Sequence, residues 1–284
     1  KWNSNAKMYR SGNAGNSFEL LYEDSSVLRS NIAVSKDRSN AVWVLTCNWS
    51  GGFNYVAYSD NGVLFDVKID NINYNFLSHA EDASGQVGQG DYDLAFAINP
   101  NNAKEYLIGG INTWHILDES TTYNLANYWS DPAVSQAQTV HADKHNIYYH
   151  PLNNFIYEVN DGGIYVSKDN GKTWTDLSNG IDVGQIYRMD FSAGILLAGH
   201  QDNGTKRLLG NNWSSILGGD GMDNAINRKD KNIQYAGVQN GVIYRTKNNW
   251  NDEMEISSYF ETIGQKGNWV TPYEVHPLSG NVYA

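Results

Sequence analysis

One octapeptide constrains the fold of this 284-residue chain more than any other stretch. Ser167-Lys168-Asp169-Asn170-Gly171-Lys172-Thr173-Trp174 reads S-x-D-x-G-x-T-W and lies between two strand-like runs, residues 163–166 and 174–177. An aspartate in such a turn accepts backbone N–H groups a few residues on. Gly171 supplies a position of positive φ without a steric penalty. Thr173 and Trp174 restart a strand, and the indole is large enough to pack against a neighbouring sheet. The stretch predicts a tight hairpin in which Ser167, Asp169, Gly171, Thr173 and Trp174 are scaffold.

The turn recurs. Ser11-Gly12-Asn13-Ala14-Gly15-Asn16-Ser17-Phe18 reads S-x-N-x-G-x-S-F. A third copy, Tyr58-Ser59-Asp60-Asn61-Gly62-Val63-Leu64-Phe65, reads with the first Ser and the Thr lost and Asp60 as its acid. Thr246-Lys247-Asn248-Asn249-Trp250 reads as a badly eroded fourth. Out of phase with these runs a second repeat: an alternating strand, a turn rich in Asn, Pro or Lys, and a strand ending in small residues. Its copies begin near Ile32, Asp93, Ala142, Ile186, Met222 and Tyr273. Four-stranded propeller blades recur at about 40–50 residues, and these intervals bracket that period.

The expectation is an all-β propeller of four-stranded antiparallel blades, six or seven in number or an incomplete piece of a larger ring. The best-defined blade places strands at 145–150, 155–159, 164–167 and 174–177. Loops 74–90 and 121–139 are the largest insertions, with room for a short helix. No linker is visible, so residues 1–284 read as a single domain. The first residues read as the outer half of a blade and the last as the inner half of one. These halves either close a ring of six or belong to a longer polypeptide; the stop at Ala284 in mid-strand favours the longer polypeptide.

Composition bounds the partners. Tyr (19), Trp (9) and Gly (27) against 5 Pro fit short strands joined by tight turns. A net charge of −11 argues against nucleic acid and leaves cations, neutral glycans or a basic protein. No apolar run is long enough for a spanning helix, so no membrane insertion is expected. Lys1 is not a natural start and fits removal of an export signal. Cys47 is the only cysteine, which rules out an internal disulfide and reads as a buried strand residue.

The S-x-D-x-G-x-T-W turn resembles the Asp-box, or BNR repeat, of sialidase-, xyloglucanase- and sortilin-type β-propellers. The resemblance widens through Gln89-Gly90-Asp91-Tyr92-Asp93-Leu94-Ala95, Gly109-Gly110-Ile111-Asn112-Thr113-Trp114, His141-Ala142-Asp143-Lys144-His145, Asn160-Asp161-Gly162-Gly163, Gln201-Asp202-Asn203-Gly204-Thr205 and Gly218-Gly219-Asp220-Gly221-Met222. This series is similar to sortilin-like or xyloglucanase-like regions of large secreted proteins from Bacteroidetes-type bacteria. It covers residues from about 11 to about 241. The resemblance implies export or display at the bacterial cell surface, often by type IX secretion, with other domains of the same polypeptide or the secretion machinery as partners. It implies fold more firmly than activity.

Blade topology then sorts the candidates. Turns between strands three and four carry Asp169 and Asp60 to one face. Strand two–three turns and blade-to-blade loops belong to the other. There Asp91, Asp93, His141, Asp143, His145, Asp161, His200, Asp202, Asp220 and Asp223 are expected to gather. Turn chemistry alone accounts for any single Asp-Gly. Asp161, Asp202 and Asp220 are expected to line one rim opposite Asp169, with 141–145 beside them and some pKa values raised by like charge.

Three chemistries compete for this cluster. A glycosidase needs two carboxyl groups at a set separation, and Asp161, Asp202 and Asp220 are the candidates. A sialidase is disfavoured, because Arg10, Arg29, Arg38, Arg188, Arg207, Arg228 and Arg245 are scattered. A divalent cation is the third: His141, Asp143 and His145 in an extended strand would point one way; a hydrogen-bonded structural trio is the commoner outcome. No other cofactor is implied. Trp49, Phe53, Trp114, Tyr123, Tyr128 and Trp129 lie in or beside the loops and could stack on a sugar or anchor a protein. Trp174, Trp213 and Trp250 read as inter-blade packing. Binding of a glycan or extracellular protein through Asp91, His141, Asp143, His145, Asp161, Asp202, Asp220 and Trp114 is the leading reading. A glycoside hydrolase and a structural spacer are the alternatives.

Overall fold

The computed structural model describes residues 5–118, 122–181 and 183–284. Cα proximity divides the chain into two compact units, residues 1–181 and 182–284. The first opens with a hairpin, β1 (Lys7–Arg10) and β2 (Glu19–Glu23). A four-stranded meander follows: β3 (Arg29–Ser35), β4 (Arg38–Cys47), β5 (Phe53–Ser59) and β6 (Asp66–Asp70). The next comprises β7 (Ala95–Ile98), β8 (Tyr106–Gly109), β9 (Thr113–Asp118) and β10 (Thr122–Tyr128), with β11 (Gln138–Thr139) added parallel at its outer edge. The third is β12 (Lys144–Tyr149), β13 (Ile156–Asn160), β14 (Gly163–Ser167) and β15 (Thr175–Asp176).

The second unit repeats the pattern. Its meanders are β16 (Ile186–Ser192), β17 (Ile195–His200), β18 (Gly204–Leu209) and β19 (Asn212–Leu217), then β20 (Asn224–Ile226), β21 (Gln234–Gly237), β22 (Ile243–Thr246) and β23 (Met254–Glu255). A short helix, α1 (Ser258–Thr262), precedes the hairpin β24 (Glu274–Val275) and β25 (Val282–Tyr283). Each meander is antiparallel with sequential neighbours paired, which is the blade of a β-propeller. The inner strands start within three residues of the positions expected from the sequence.

Strand β7 shows why the sequence folds this way. Ala95-Phe96-Ala97-Ile98 is apolar throughout, as befits a strand covered on both faces. Phe96 and Ile98 enter a core with Trp43, Leu45, Phe53 and Val56 of the preceding blade. Ala95 and Ala97 face Ile147, Ile156 and Trp174 of the following one. Large residues fill one inter-blade seam, and small ones leave room for the indole in the other. In the second unit Ala225, Tyr235, Ile243, Tyr273 and Val275 form the corresponding seam. Cys47 is buried, and desolvation pushes its thiol up to about 11.

The Ser167 turn forms as its chemistry predicts. Ser167 Oγ donates to Asp169 Oδ1 at 2.9 Å and accepts Gly171 N at 2.8 Å. Asp169 accepts Thr173 N at 2.8 Å and Thr173 Oγ1 at 2.6 Å. The Ser11 turn matches it: Gly15 N reaches Ser11 Oγ at 2.8 Å and Ser17 N reaches Asn13 Oδ1 at 2.9 Å.

Two sequence expectations about the turns need correction. In the third turn the hydroxyl is not lost: Ser59 Oγ accepts Val63 N at 3.2 Å and Asn61 Oδ1 accepts it at 2.9 Å. The motif is shifted by one residue, so Asn61, not Asp60, is its acceptor. The fourth is not badly eroded in geometry. Thr246 Oγ1 accepts Trp250 N at 2.9 Å and Asn248 Oδ1 accepts Asp252 N at 3.1 Å. A side-chain acceptor two residues after a hydroxyl suffices, whatever its charge.

Among the described residues, neither long loop carries a helix. Residues 122–128 are strand β10, and Thr121, where that loop was expected to start, lies outside the described residues, as does Lys1. No helix among the described residues is long and apolar enough to cross a membrane.

Candidate functional site

In the first unit, the loop before β7, the segment entering β12 and the β13–β14 turn converge. Asp161 occupies that turn, at the opposite end of β14 from Asp169. Its Oδ2 accepts the Tyr92 hydroxyl at 2.8 Å, and its Oδ1 lies 2.5 Å from His145 Nε2. Tyr92 and His145 meet edge to face, with ring centroids 5.0 Å apart. Both rings stay partly exposed; Tyr92 keeps 44% of its surface. The result is a carboxylate held from two sides by a phenol and an imidazole at an accessible rim.

Behind this rim the polar groups are buried. Asp143 has φ +63°, accepts Gln89 Nε2 at 2.9 Å and lies with a carboxylate oxygen within 4.8 Å of one from Asp161. Burial first, then the Asp161 charge, raises its pKa. Asp93 is fully buried. Desolvation, then the charge of Asp143, raises its carboxyl to about 9, so it is protonated at neutral pH. Lys144 is wholly buried; its Nζ donates to His141 O at 2.7 Å and Ile111 O at 2.9 Å. Burial lowers its pKa, opposed by Glu158 and the two aspartates. Glu158 accepts Thr113 Oγ1 at 2.6 Å and Asn127 Nδ2 at 2.9 Å.

The left-handed turn at Asp143 breaks the alternation on which the metal trio rested. His141, Asp143 and His145 therefore do not point one way. His141 Nδ1 bonds Ala142 O at 3.2 Å, while His145 is engaged with Asp161. A Cβ on Gly162 would overlap the His141 imidazole, so glycine is what lets that ring pack against the turn.

Asp91 is exposed, and its backbone carbonyl accepts Arg29 Nη1 at 3.1 Å. In the second unit Asp202 sits at φ +56° and donates its N–H to Asp220 Oδ1 at 2.8 Å. Asp220 also accepts Gln239 Nε2 at 2.6 Å and is buried, so it ties loops together rather than facing solvent.

The aromatic expectations divide. Trp114 and Phe53 are core residues and cannot stack on a ligand. Trp49 and Trp129 remain about half exposed, with indole N–H groups on Ser25 O and His79 O. Trp174 packs between blades as expected, with Nε1 on Ala126 O at 3.1 Å. Trp213 is instead 57% exposed, and Trp250 bonds Gln234 within its own blade at 2.8 Å. Tyr92, Gln89, Lys144 and Glu158 were not singled out from sequence. Tyr92 lies between two aspartates that were, and its exposure was the missing signal.

No protein-family profile and no curated protein matches the chain. Among solved structures it is similar to a GH74 enzyme of Niastella koreensis, at 15% identity over 87% of this chain and 42% of that one, TM-score 0.44. It is similar to the GH74 xyloglucanase of Xanthomonas campestris, at 15% identity, 91% and 43% coverage and TM-score 0.39. PorZ, a surface component of the type-IX secretion system of Porphyromonas gingivalis, matches at 10% identity, 79% and 41% coverage and TM-score 0.31. The chain spans less than half the length of each. At these identities no site residue is carried across.

Proposed function

We propose that this chain is a ligand-binding β-propeller module of an exported or surface-displayed protein, and that it engages a glycan through the Tyr92–Asp161–His145 rim. The observation that carries this reading is the double anchoring of Asp161 by Tyr92 and His145 at an accessible turn. A fixed carboxylate, a phenol and an imidazole offer acceptors and donors to neighbouring sugar hydroxyls, and the Tyr92 ring offers an apolar face. The four hydroxyl-plus-Asx turns support assignment to the Asp-box class. Screening labelled protein on a glycan array, against Asp161→Asn and His145→Ala proteins of unchanged melting temperature, tests it. Binding weakened by about tenfold or more in both variants is expected. An array with no hits, or hits indifferent to both changes, defeats the reading and leaves a protein partner or a spacer.

One observation favours hydrolysis as a second reading. Asp143, with its pKa raised, approaches Asp161 closely enough to act as an acid beside a base. Release of reducing sugar by wild type, lost by orders of magnitude in Asp161→Asn, would distinguish an enzyme from a binder.

A further inference from the structure

A separate cavity of about 190 Å³ opens in the first unit beside the β4–β5 turn and the long loop before β7. Asn48, Asn71, Asn73, Tyr74, Ser84 and Gln86 supply most of its polar lining, and no Asp, Glu, Lys, Arg or His takes part. In a chain of net charge −11, a cavity lined by no charged side chain is a distinct chemical environment.

The cavity is rigid where it is deep. Asn75 Oδ1 accepts Phe53 N at 2.7 Å and Leu77 N at 3.2 Å, and its Nδ2 donates to Gly85 O at 2.9 Å and Val87 O at 3.2 Å. All four of its hydrogen bonds are thus used to hold the loop against β5. Asn48 Oδ1 accepts Ser50 N and Gly52 N. Tyr74 is wedged against Phe76 and Tyr123, with centroids 5.6 and 4.7 Å away. At the mouth, Asn71, Asn73 and Gln86 are exposed, each offering amide donors and an acceptor.

We propose that this cavity binds one neutral sugar ring, free or as the end residue of a glycan. Without Lys or Arg it has nothing to hold a phosphate or carboxylate, and without a carboxylate it is poorly suited to calcium or magnesium. Amide donors and acceptors at its mouth match vicinal hydroxyls. Its volume lies below the roughly 300–1,000 Å³ of pockets for drug-sized ligands, which fits a single ring. The proposal stands apart from the rim reading, since the two sites share no side chain.

Nuclear magnetic resonance titration with glucose, galactose and N-acetylglucosamine tests it, following the side-chain amides of Asn71, Asn73 and Gln86 separately from the His145 imidazole. Saturable shifts at the amides are expected for at least one sugar, with affinity reduced about tenfold in Asn73→Ala and in Gln86→Ala. If oligosaccharides ending in that sugar bind more tightly, the source is a glycan end; if they are excluded, it is the free sugar. Shifts at His145 alone would support the rim and overturn this proposal. So would silence at the amides, or amide shifts that neither substitution weakens.

Discussion

Lys144 Nζ lies 4.0 Å from Glu158 Oε1, and neither side chain touches solvent. Both partners come from the first two strands of one blade; Lys144 also reaches Ile111 O and Glu158 also reaches Thr113 and Asn127 of the blade before it, while His141 O and Asn160 hold them from their own side. Removing one charge would strand the other in a medium that cannot solvate it. Lys144→Met is expected to cost about 3–5 kcal/mol in chemical denaturation. A Lys144→Met/Glu158→Gln double variant should lose less than the sum of the two single changes. Strict additivity in that cycle would mean the charges do not interact.

Asp93 makes stability fall as pH rises towards about 9. Its folded pKa, about 9, lies far above the roughly 3.9 of an unfolded aspartate. Its contribution is therefore complete below the unfolded value and is lost as pH rises through the folded one. Asp143, also raised, works in the same sense. Lys144, with its pKa lowered, works in the opposite sense but is common to both proteins compared. Asp93→Asn removes the titration and keeps a donor. Its melting temperature should fall less than that of wild type between about pH 5 and pH 9. Parallel curves would show that the folded pKa of Asp93 is not raised above the unfolded value.

The corrected third turn separates two adjacent residues. Asn61→Ala should destabilise by about 1–2 kcal/mol, because Leu64 N loses its acceptor and Val63 N keeps only Ser59 Oγ. Asp60→Ala, outside the bonding pattern, should stay within about 0.5 kcal/mol of wild type. Equal losses in urea denaturation would restore the unshifted motif.

Asp169→Ala should cost about 1–2 kcal/mol at neutral pH. Burial opposes ionisation here, but the Thr173 and Ser167 hydrogen bonds outweigh it and lower the pKa. That contribution is present above the unfolded aspartate value and fades as pH falls through the folded one. A wild-type-minus-variant stability gap that does not shrink on acidification would refute this account.

The tryptophans give a contrast of seam and surface. Trp174→Ala should cost about 3–5 kcal/mol, since the indole fills the space left by Ala95 and Ala97. Trp213→Ala, at an exposed site, should change the melting temperature little. A large loss at Trp213 would mean that the exposed indole is covered in solution.

Local order was enough for the sequence to determine the blades. The period-two runs, the hydroxyl-plus-Asx turns and the Asn- and Gly-rich connections each act over eight residues or fewer, so β3, β7, β12, β16, β20 and β24 begin close to where those signals put them. The placing of Asp161 and Asp169 at opposite ends of β14 follows from the same strand count. Tertiary structure decided which candidates meet. Trp114 reads from sequence as a loop aromatic, because periodicity cannot say which face of a strand another blade will cover. Asp143 reads from sequence as part of an extended segment, because nothing local announces a left-handed aspartate. Tyr92 reaches Asp161 and Lys144 reaches Ile111 only after separate blades pack. Burial is set by that packing, and burial, more than residue type, is what raises Asp93 and lowers Lys144.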